Sequence, residues 1–482
     1  MNKIYKLALK FSSLMNEGHI KYKKIIKDIR EAIAGTEQDF TTGSIKRAIF
    51  LLSVPMVLEM VMESIFAVVD IFFVSRLGPE AVATVGITES LITIVYAIGI
   101  GLSMATTALV SRRIGEKNPE GAAMAAFQSI ITGLFVSLLI AIPGILYASE
   151  LLKLMGASEE IYTEMSSYTA IMLGGNAVIM LLFIINAVFR SAGDAAISMR
   201  VLWIANIINL ILDPILIFGI GPFPELGIMG AAIATNTGRG LAVIYQFYLL
   251  FKGNGRVELL VKHISVHWQT IRSLLRLSIG GIGQNVIAMS SWIGLVRIIS
   301  EFGSEALAGY TIAIRIIIFS LLPSWGISNA AATLVGQNLG AKRPDRAEKS
   351  VWAVGKVNMV AMGIISVVLI LFPSVFIRLF IDDQMVIYSG ALSLRILSYG
   401  FVFYGLGMVL VQALNGAGDT LTPTKINFFC FWLLEIPLAY LLAIYLGTGE
   451  TGVYYSILAA ESVMAITALW LFRRGKWKLM VV

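Results

Sequence analysis

Residues 78–83 read Gly78-Pro79-Glu80-Ala81-Val82-Ala83, and 225 positions later the chain reads Gly303-Ser304-Glu305-Ala306-Leu307-Ala308. The same offset carries Gly115-Glu116-Lys117-Asn118-Pro119 onto Gly340-Ala341-Lys342-Arg343-Pro344, Ala192-Gly193-Asp194 onto Ala417-Gly418-Asp419, and Gly227 onto Gly452. Across positions 78–122, fifteen of 45 pairs are identical, where a composition this skewed yields roughly one in twelve. The chain is a duplication.

What is duplicated follows from hydropathy. Of 482 residues 57% are hydrophobic and 14% charged, against about 25% charge in soluble domains. Apolar runs fall near 46–75, 82–110, 122–146, 161–189, 199–220, 227–251, 273–300, 306–335, 350–376, 386–413, 423–446 and 452–472, each long enough to cross roughly 30 Å of hydrocarbon. The alternation of barrel strands is absent, so the backbone must satisfy itself as helix. The expected fold is an all-α membrane protein of twelve transmembrane helices in two pseudo-symmetric six-helix lobes. Its parts are a cytoplasmic amphipathic segment 1–44, an N-lobe 45–255, a cytoplasmic inter-lobe loop 256–270 and a C-lobe 271–482. Six spans per half give both halves the same orientation, related by an axis along the membrane normal, with substrate expected between them.

The net charge of +7 is explained by topology and gives no reason to expect nucleic acid. With the N-terminus inside, inside segments hold 30 of the 37 Lys and Arg, so both termini are expected in the cytoplasm of a cell with this chain in its inner membrane. No cleavable signal peptide is expected from the first residues, where no uninterrupted apolar stretch follows the lysines. Ile4, Leu7, Phe11 and Leu14, then Tyr22, Ile25, Ile26, Ile29 and Ile33, repeat at helical spacing among lysines, the pattern of one or two basic amphipathic helices that lie on the cytoplasmic leaflet, with a mobile tail as the alternative. The single cysteine, Cys430, excludes a disulfide framework and an iron–sulfur cluster. There is no phosphate-binding loop, and the three histidines fall outside the spans, with His263 and His267 lacking further metal ligands. Neither enzyme chemistry, a resident cofactor nor a structural metal is expected.

Ionisable groups within a span cost at least about 2.5–3.5 kcal/mol each, so they are functional candidates by default. The first span carries Glu59, Glu63 and Asp70; spacings of four and seven put all three on one face. Asp70 is the strongest candidate for the coupling-ion site. Pro55, earlier in that span, removes a backbone hydrogen bond and marks a bend site. In the fifth span Asn209 and Asp213 share a face just before Pro214, Asn206 widens it, and Thr235 of the sixth span adds a hydroxyl. For Asn206 and Thr235 a simple interhelical hydrogen bond is the better reading. Glu59, Glu63, Asn206, Thr235 and Gln284 are the candidate substrate-cavity residues. Glu89 and Arg315 occupy nearly equivalent places in the two halves and are candidates for an ion pair across the lobes in one conformational state, or for separate partners in each lobe. Glu435, Glu461, Arg239 and Arg395 are further intramembrane charges.

These residues resemble the multidrug and toxic compound extrusion transporters, in the branch similar to DinF-like proteins, from about Phe40 to Arg474. The marks are Asp39-Phe-Thr-Thr-Gly43-Ser-Ile45, Pro55, Val69-Asp70-Ile-Phe-Phe-Val74-Ser-Arg-Leu-Gly78, Phe189-Arg190-Ser-Ala-Gly193-Asp194, Asn209-Leu-Ile-Leu-Asp213-Pro214 and Gly230-Ala-Ala-Ile-Ala-Thr235. The resemblance implies a V-shaped pair of lobes, a cation site at Asp70, Asn209 and Asp213 for H+ or Na+, and bending at Pro55. Proteins similar to the NorM branch use acidic residues in the seventh and tenth spans, where this chain has Gln284, Asn285 and Arg395; an ion site of that type is not expected. The expected function is a secondary active multidrug efflux antiporter, monomeric in the lipid bilayer, exchanging small amphipathic, lipophilic cations for H+ or Na+ by alternating access. The alternative is a lipid-linked oligosaccharide or lipid flippase of the related superfamily.

Overall fold

The computed structural model describes residues 26–35, 39–253 and 255–482. The first amphipathic pattern, up to Leu14, lies outside the described residues; of the second, residues 26–34 are helical and bury Ala32. Twelve long helices follow: α1 (Ile45–Val74), α2 (Pro79–Gly115), α3 (Pro119–Leu146), α4 (Ser166–Ala192), α5 (Ala195–Phe218), α6 (Ile228–Phe251), α7 (Trp268–Ile299), α8 (Ser304–Gly340), α9 (Pro344–Leu371), α10 (Gln384–Ser398 with Phe401–Ala417), α11 (Leu421–Tyr445) and α12 (Glu450–Arg473). Among the described residues nine are long and apolar enough to cross a membrane, or ten with the bent pair of α10 taken as one. The remaining two, α1 and α6, are those carrying Glu59, Glu63, Asp70 and Arg239.

The 225-residue repeat is written into the backbone. Lys117 and Lys342, equivalent positions after α2 and α8, are the two non-glycine residues with positive φ, both 57°, among the described residues. Pro119 and Pro344 open α3 and α9 at the first helical turn, where a missing N–H costs nothing. The fourth and tenth spans, expected to be continuous, are broken at equivalent places. In α4 the break falls at Gly174–Gly175, where Asn236 of α6 sits against Gly175 and its Nδ2 donates to Ile171 O at 3.0 Å. In α10 it falls at Tyr399–Gly400 with a bend of 56°, and Ser366 Oγ donates to Ser398 O at 2.7 Å. In each case a neighbouring polar side chain takes a carbonyl near the break, which hydropathy cannot foresee. α7 also begins at Trp268, inside the expected loop, while α1 runs continuously through Pro55.

Helices in lipid gain little from hiding apolar surface, so they associate through close packing of small residues. The lobes exchange partners accordingly: α1 packs on α8, and α7 on α2. A Cβ on Gly326 would sit 2.8 Å from Met56 O, and one on Gly281 would sit 2.9 Å from Gly101 Cα; these contacts interchange under the repeat. Where α2 and α8 end, a Cβ on Gly115 would meet Gln337 O at 1.9 Å and one on Gly340 would meet Arg112 O at 2.1 Å. Ser111 faces its own equivalent, Gly336, so the pseudo-two-fold axis passes between them.

That end of the bundle carries Arg112, Arg113, Lys117, Lys342, Arg343 and Arg346, and the lobes are sealed there. Gln337 Nε2 donates to Ser191 O at 2.8 Å, and Arg112 Nη2 donates to Ala417 O at 3.3 Å and Met480 O at 2.8 Å. Residues 40–43, leading into α1, are gripped by their carbonyls: Arg343 donates to Thr41 O at 2.8 Å, and Arg346 to Phe40 O, Thr42 O and Gly43 O at 3.2, 2.7 and 3.0 Å. The C-terminal stretch is pinned by Lys478 to Glu348.

Gly115→Ala and Gly340→Ala should each cost about 1–3 kcal/mol by wedging α2 and α8 apart. In detergent their thermal midpoints should fall below wild type, whereas Gly86→Ala, with open space around its Cβ, should not. The Lys478 ammonium beside Glu348 holds its carboxyl below the ordinary value. The tether is therefore complete above the ordinary glutamate range and lost as pH falls through the lowered value. Amide exchange in residues 476–482 should rise only in that acidic window.

Candidate functional site

Asp70 lies two turns beyond Glu63 on α1, about 10.5 Å along the axis, and α1 packs on α5. This brings Asp70 to the face of α5 bearing Asn209 and Asp213, which are 2% and 0% exposed. Asn209 Nδ2 donates to Asp213 Oδ1 at 3.2 Å and to Thr235 Oγ1 of α6 at 3.1 Å. The Asp70 and Asp213 carboxyls act on each other electrostatically. Two neighbouring buried carboxylates repel, and a proton or a cation between them relieves that repulsion. Asp70 Oδ1, Asn209 Oδ1 and Asp213 Oδ2 are all buried without a hydrogen-bond partner. Three orphaned acceptors on three neighbouring side chains make a cradle for H+ or a small cation. Tyr168 of α4 stands close enough to respond to both aspartates.

Nearer the sealed end, a cavity of about 230 Å3 opens between the lobes. It spans about 16 Å along α2 from Tyr96 to Thr107. Its wall is mostly apolar and aromatic, with Met60, Met104, Phe183 and Trp325, and it ends against Ala332, Thr333, Asn415 and Gly416 of the C-lobe. Glu59 and Glu63 both reach it, but neither is a bare carboxylate. Arg190 Nη1 lies 2.9 Å from Glu59 Oε1, with Glu59 3% exposed and its Oε2 unpartnered. Arg239 Nη2 lies 3.4 Å from Glu63 Oε1, and Glu63 is about a third exposed, at 35% of its side chain. The two carboxylates and two guanidiniums balance.

Arg239 has more than one claim on it. Its Nη1 donates to Tyr96 OH at 3.2 Å, its guanidinium lies 5.5 Å from the centre of the Phe66 ring, and Asp70 acts on it electrostatically along with Glu63. A long, shared ion pair of this kind can be redistributed at low cost, unlike the tight Glu59–Arg190 pair.

Three of the candidate cavity residues lie behind the wall. Asn206 donates to Glu63 Oε2 at 3.4 Å and orients it; Thr235 belongs to the aspartate site; Gln284, 4% exposed, bonds Asn415 Oδ1 and Thr420 O at 3.0 Å each, tying α7 to α10 and α11. Glu89 and Arg315 are exposed, with no ion pair between them in this conformation, although Arg315 acts electrostatically on Glu89. His263 is a structural residue: Nδ1 accepts from Leu260 N–H at 3.0 Å and Nε2 lies 2.7 Å from Glu120 Oε2. Sequence reasoning missed Tyr96, Phe66 and Tyr168 in this neighbourhood, and gave Arg190 no intramembrane role. The one available signal was the need of each intramembrane carboxylate for a counter-charge.

Known proteins share this fold. The chain is 27% identical over 438 residues to the "Probable multidrug resistance protein NorM" of Thermotoga maritima, covering 90% of this chain and 93% of that one. It is 23% identical to the "Multidrug export protein MepA" of Staphylococcus aureus, with 89% and 94% covered. Among solved structures it superposes with TM-score 0.86 at 25% identity on an outward-facing conformation of a multidrug resistance MATE family transporter, covering 92% of this chain and 99% of that one. A crystal structure of MATE in a bent conformation matches at 0.85 and 25% identity, over 93% and 98%. The MatE family description fits residues 55–215 and again 282–441, one copy in each lobe, and the chain therefore belongs to the MatE family of multidrug efflux transporters.

Proposed function

We propose that this protein exports small amphipathic cations across the cytoplasmic membrane in exchange for H+, by alternating access. Na+ is the other ion the same cradle could accept. The basic end and both termini face the cytoplasm, following the positive-inside rule, so the sealed form described above is the outward-facing one. The observation that carries the reading is the group of three orphaned oxygens on Asp70, Asn209 and Asp213, joined to the cavity through Arg239.

The exchange follows from competition for one guanidinium. With a proton shared by Asp70 and Asp213, the site has lost one negative charge and Arg239 pairs with Glu63, leaving no free carboxylate for a cation. Loss of the proton draws Arg239 toward Asp70 and releases Glu63 to hold a cationic substrate against the aromatic wall. Proton and cation cannot both be bound at full strength, the thermodynamic requirement for antiport. The separate pair Glu59–Arg190 stays closed throughout and keeps that end of the cavity neutral. A flippase for anionic lipid headgroups fits this balanced cavity less well.

Proteoliposomes loaded with a fluorescent lipophilic cation, under imposed pH or Na+ gradients, test the reading. Wild type should respond to the pH gradient, and Asp70→Asn should lower the cation gradient reached by up to about fiftyfold, the worth of one ion through 100 mV at about 2.3 kcal/mol. A response to Na+ alone would reassign the ion; no response to either would sink the antiporter. Each proton exchanged weakens cation binding by up to about tenfold per pH unit on acidification. In Arg239→Gln the N-lobe factor should vanish from the pH profile of tetraphenylphosphonium binding, and Arg239→Lys should restore part of it.

A further inference from the structure

The repeat sets α7, α11 and α12 where α1, α5 and α6 stand in the N-lobe. The N-lobe's ion-site residues have no polar counterparts there: Asp70, Asn209, Asp213 and Thr235 map onto Leu295, Leu434, Leu438 and Ala460. Yet the same helices bring in other carboxylates, Glu435 immediately after Leu434 and Glu461 immediately after Ala460, with Ser291 one turn before Leu295.

Glu435 is 4% exposed, and among the described residues neither Glu435 nor Glu461 has a Lys, Arg or His within ion-pair distance. Every paired carboxylate of the N-lobe cavity has its arginine; these have none. Ser291 Oγ lies 2.6 Å from Glu435 Oε2 and 3.2 Å from Phe431 O. A hydroxyl has one proton to give. By length it goes to Glu435, so a single neutral donor, and no counter-charge, is what Ser291 sets against this buried carboxyl.

Two further observations point to a ligand at this place. Tyr404 of α10 is 5% exposed with its OH buried and unpartnered, and the charges that act on it are Glu461 and then Glu435. The backbone of α11 winds as π-helix from Phe428 to Glu435 and again from Leu441 to Tyr445, a distortion that concentrates at functional sites. The remaining titratable groups facing Glu435 are Tyr310 of α8, whose OH is held at 3.1 Å by Trp292 Nε1, and the buried Cys430 of α11. Among the described residues no group of three His, Cys, Asp or Glu is placed to hold a metal ion. A proton is the ligand that two carboxyls, a serine and a tyrosine can accept without a further donor set.

We propose that Glu435 and Glu461, walled by Ser291 and Tyr404, form a proton-binding site in the C-lobe that is distinct from the aspartate site of the N-lobe, so that the transporter carries one site per lobe. The proton is taken up as Glu–COO− plus H+ and released unchanged, with no other bond made. Its coupling to transport rests on the antiport reading above; its occupancy does not.

The test reads the two separately, on the full chain in detergent. Infrared titration of wild type should show carboxylic acid C=O absorption at neutral pH that is diminished in Glu435→Gln and in Glu461→Gln. Ser291→Ala, which leaves both carboxyls and the packing in place, should shift the pH at which that band disappears. Tetraphenylphosphonium added to weakly buffered protein should release two protons per cation from wild type and one from either Glu435→Gln or Asp70→Asn. An acid band unchanged in both glutamine variants, or a midpoint unmoved by Ser291→Ala, overturns the C-lobe site. A proton count insensitive to Asp70→Asn but reduced by Glu435→Gln overturns the N-lobe reading and leaves this one standing.

Discussion

A carboxylate placed in hydrocarbon must be neutralised by something carried in with it, and the interior of this protein is arranged around that requirement. Glu59 takes Arg190 at 2.9 Å, closing a tight pair on the cavity wall. Glu63 takes Arg239 at 3.4 Å, in a looser pair that Tyr96 and Asp70 also draw upon. Asp70 and Asp213 have each other, an amide and a share in Arg239, but no ion-pair partner of their own. The three solutions differ in how easily they come apart, and the proposed coupling-ion site rests on the least self-sufficient of them.

The lobes supply the second half of the arrangement. Because α1 packs on both α5 of its own lobe and α8 of the other, a change in charge at Asp70 is felt on a helix that belongs to the lobe interface. The contacts that seal the basic end are backbone-to-backbone approaches at Gly115 and Gly340, with hydrogen bonds from Arg112 and Gln337. Such contacts are either made at full closeness or lost together, which favours two discrete arrangements over a continuum.

The duplication, the twelve spans and the face shared by Asn209 and Asp213 were legible because each is a periodicity, and helical spacing converts directly into neighbourhood. The convergence of Asp70 on that face could be guessed from charge alone. Less could be read wherever the answer depended on a partner far off in sequence. Arg190 sits at the end of its helix and looks like a loop charge until Glu59, 131 residues earlier, is found beside it. Gln284 is polar and intramembrane, yet its bonds to Asn415 and Thr420 turn it away from the cavity. The breaks in α4 and α10 depend on Asn236 and Ser366 reaching freed carbonyls, and hydropathy averages over both.

The grip of Arg343 and Arg346 on residues 40–43 is exerted wholly on main-chain oxygens. A clasp of that kind recognises the path of the chain and is blind to its side chains. The lead-in is therefore held to its path by two arginines that lie some 300 residues away, while Phe40, buried in the core, anchors it by its side chain. The exposed side chains before α1 are thus free to change as long as Phe40 stays buried and the backbone still threads the same pair of guanidiniums.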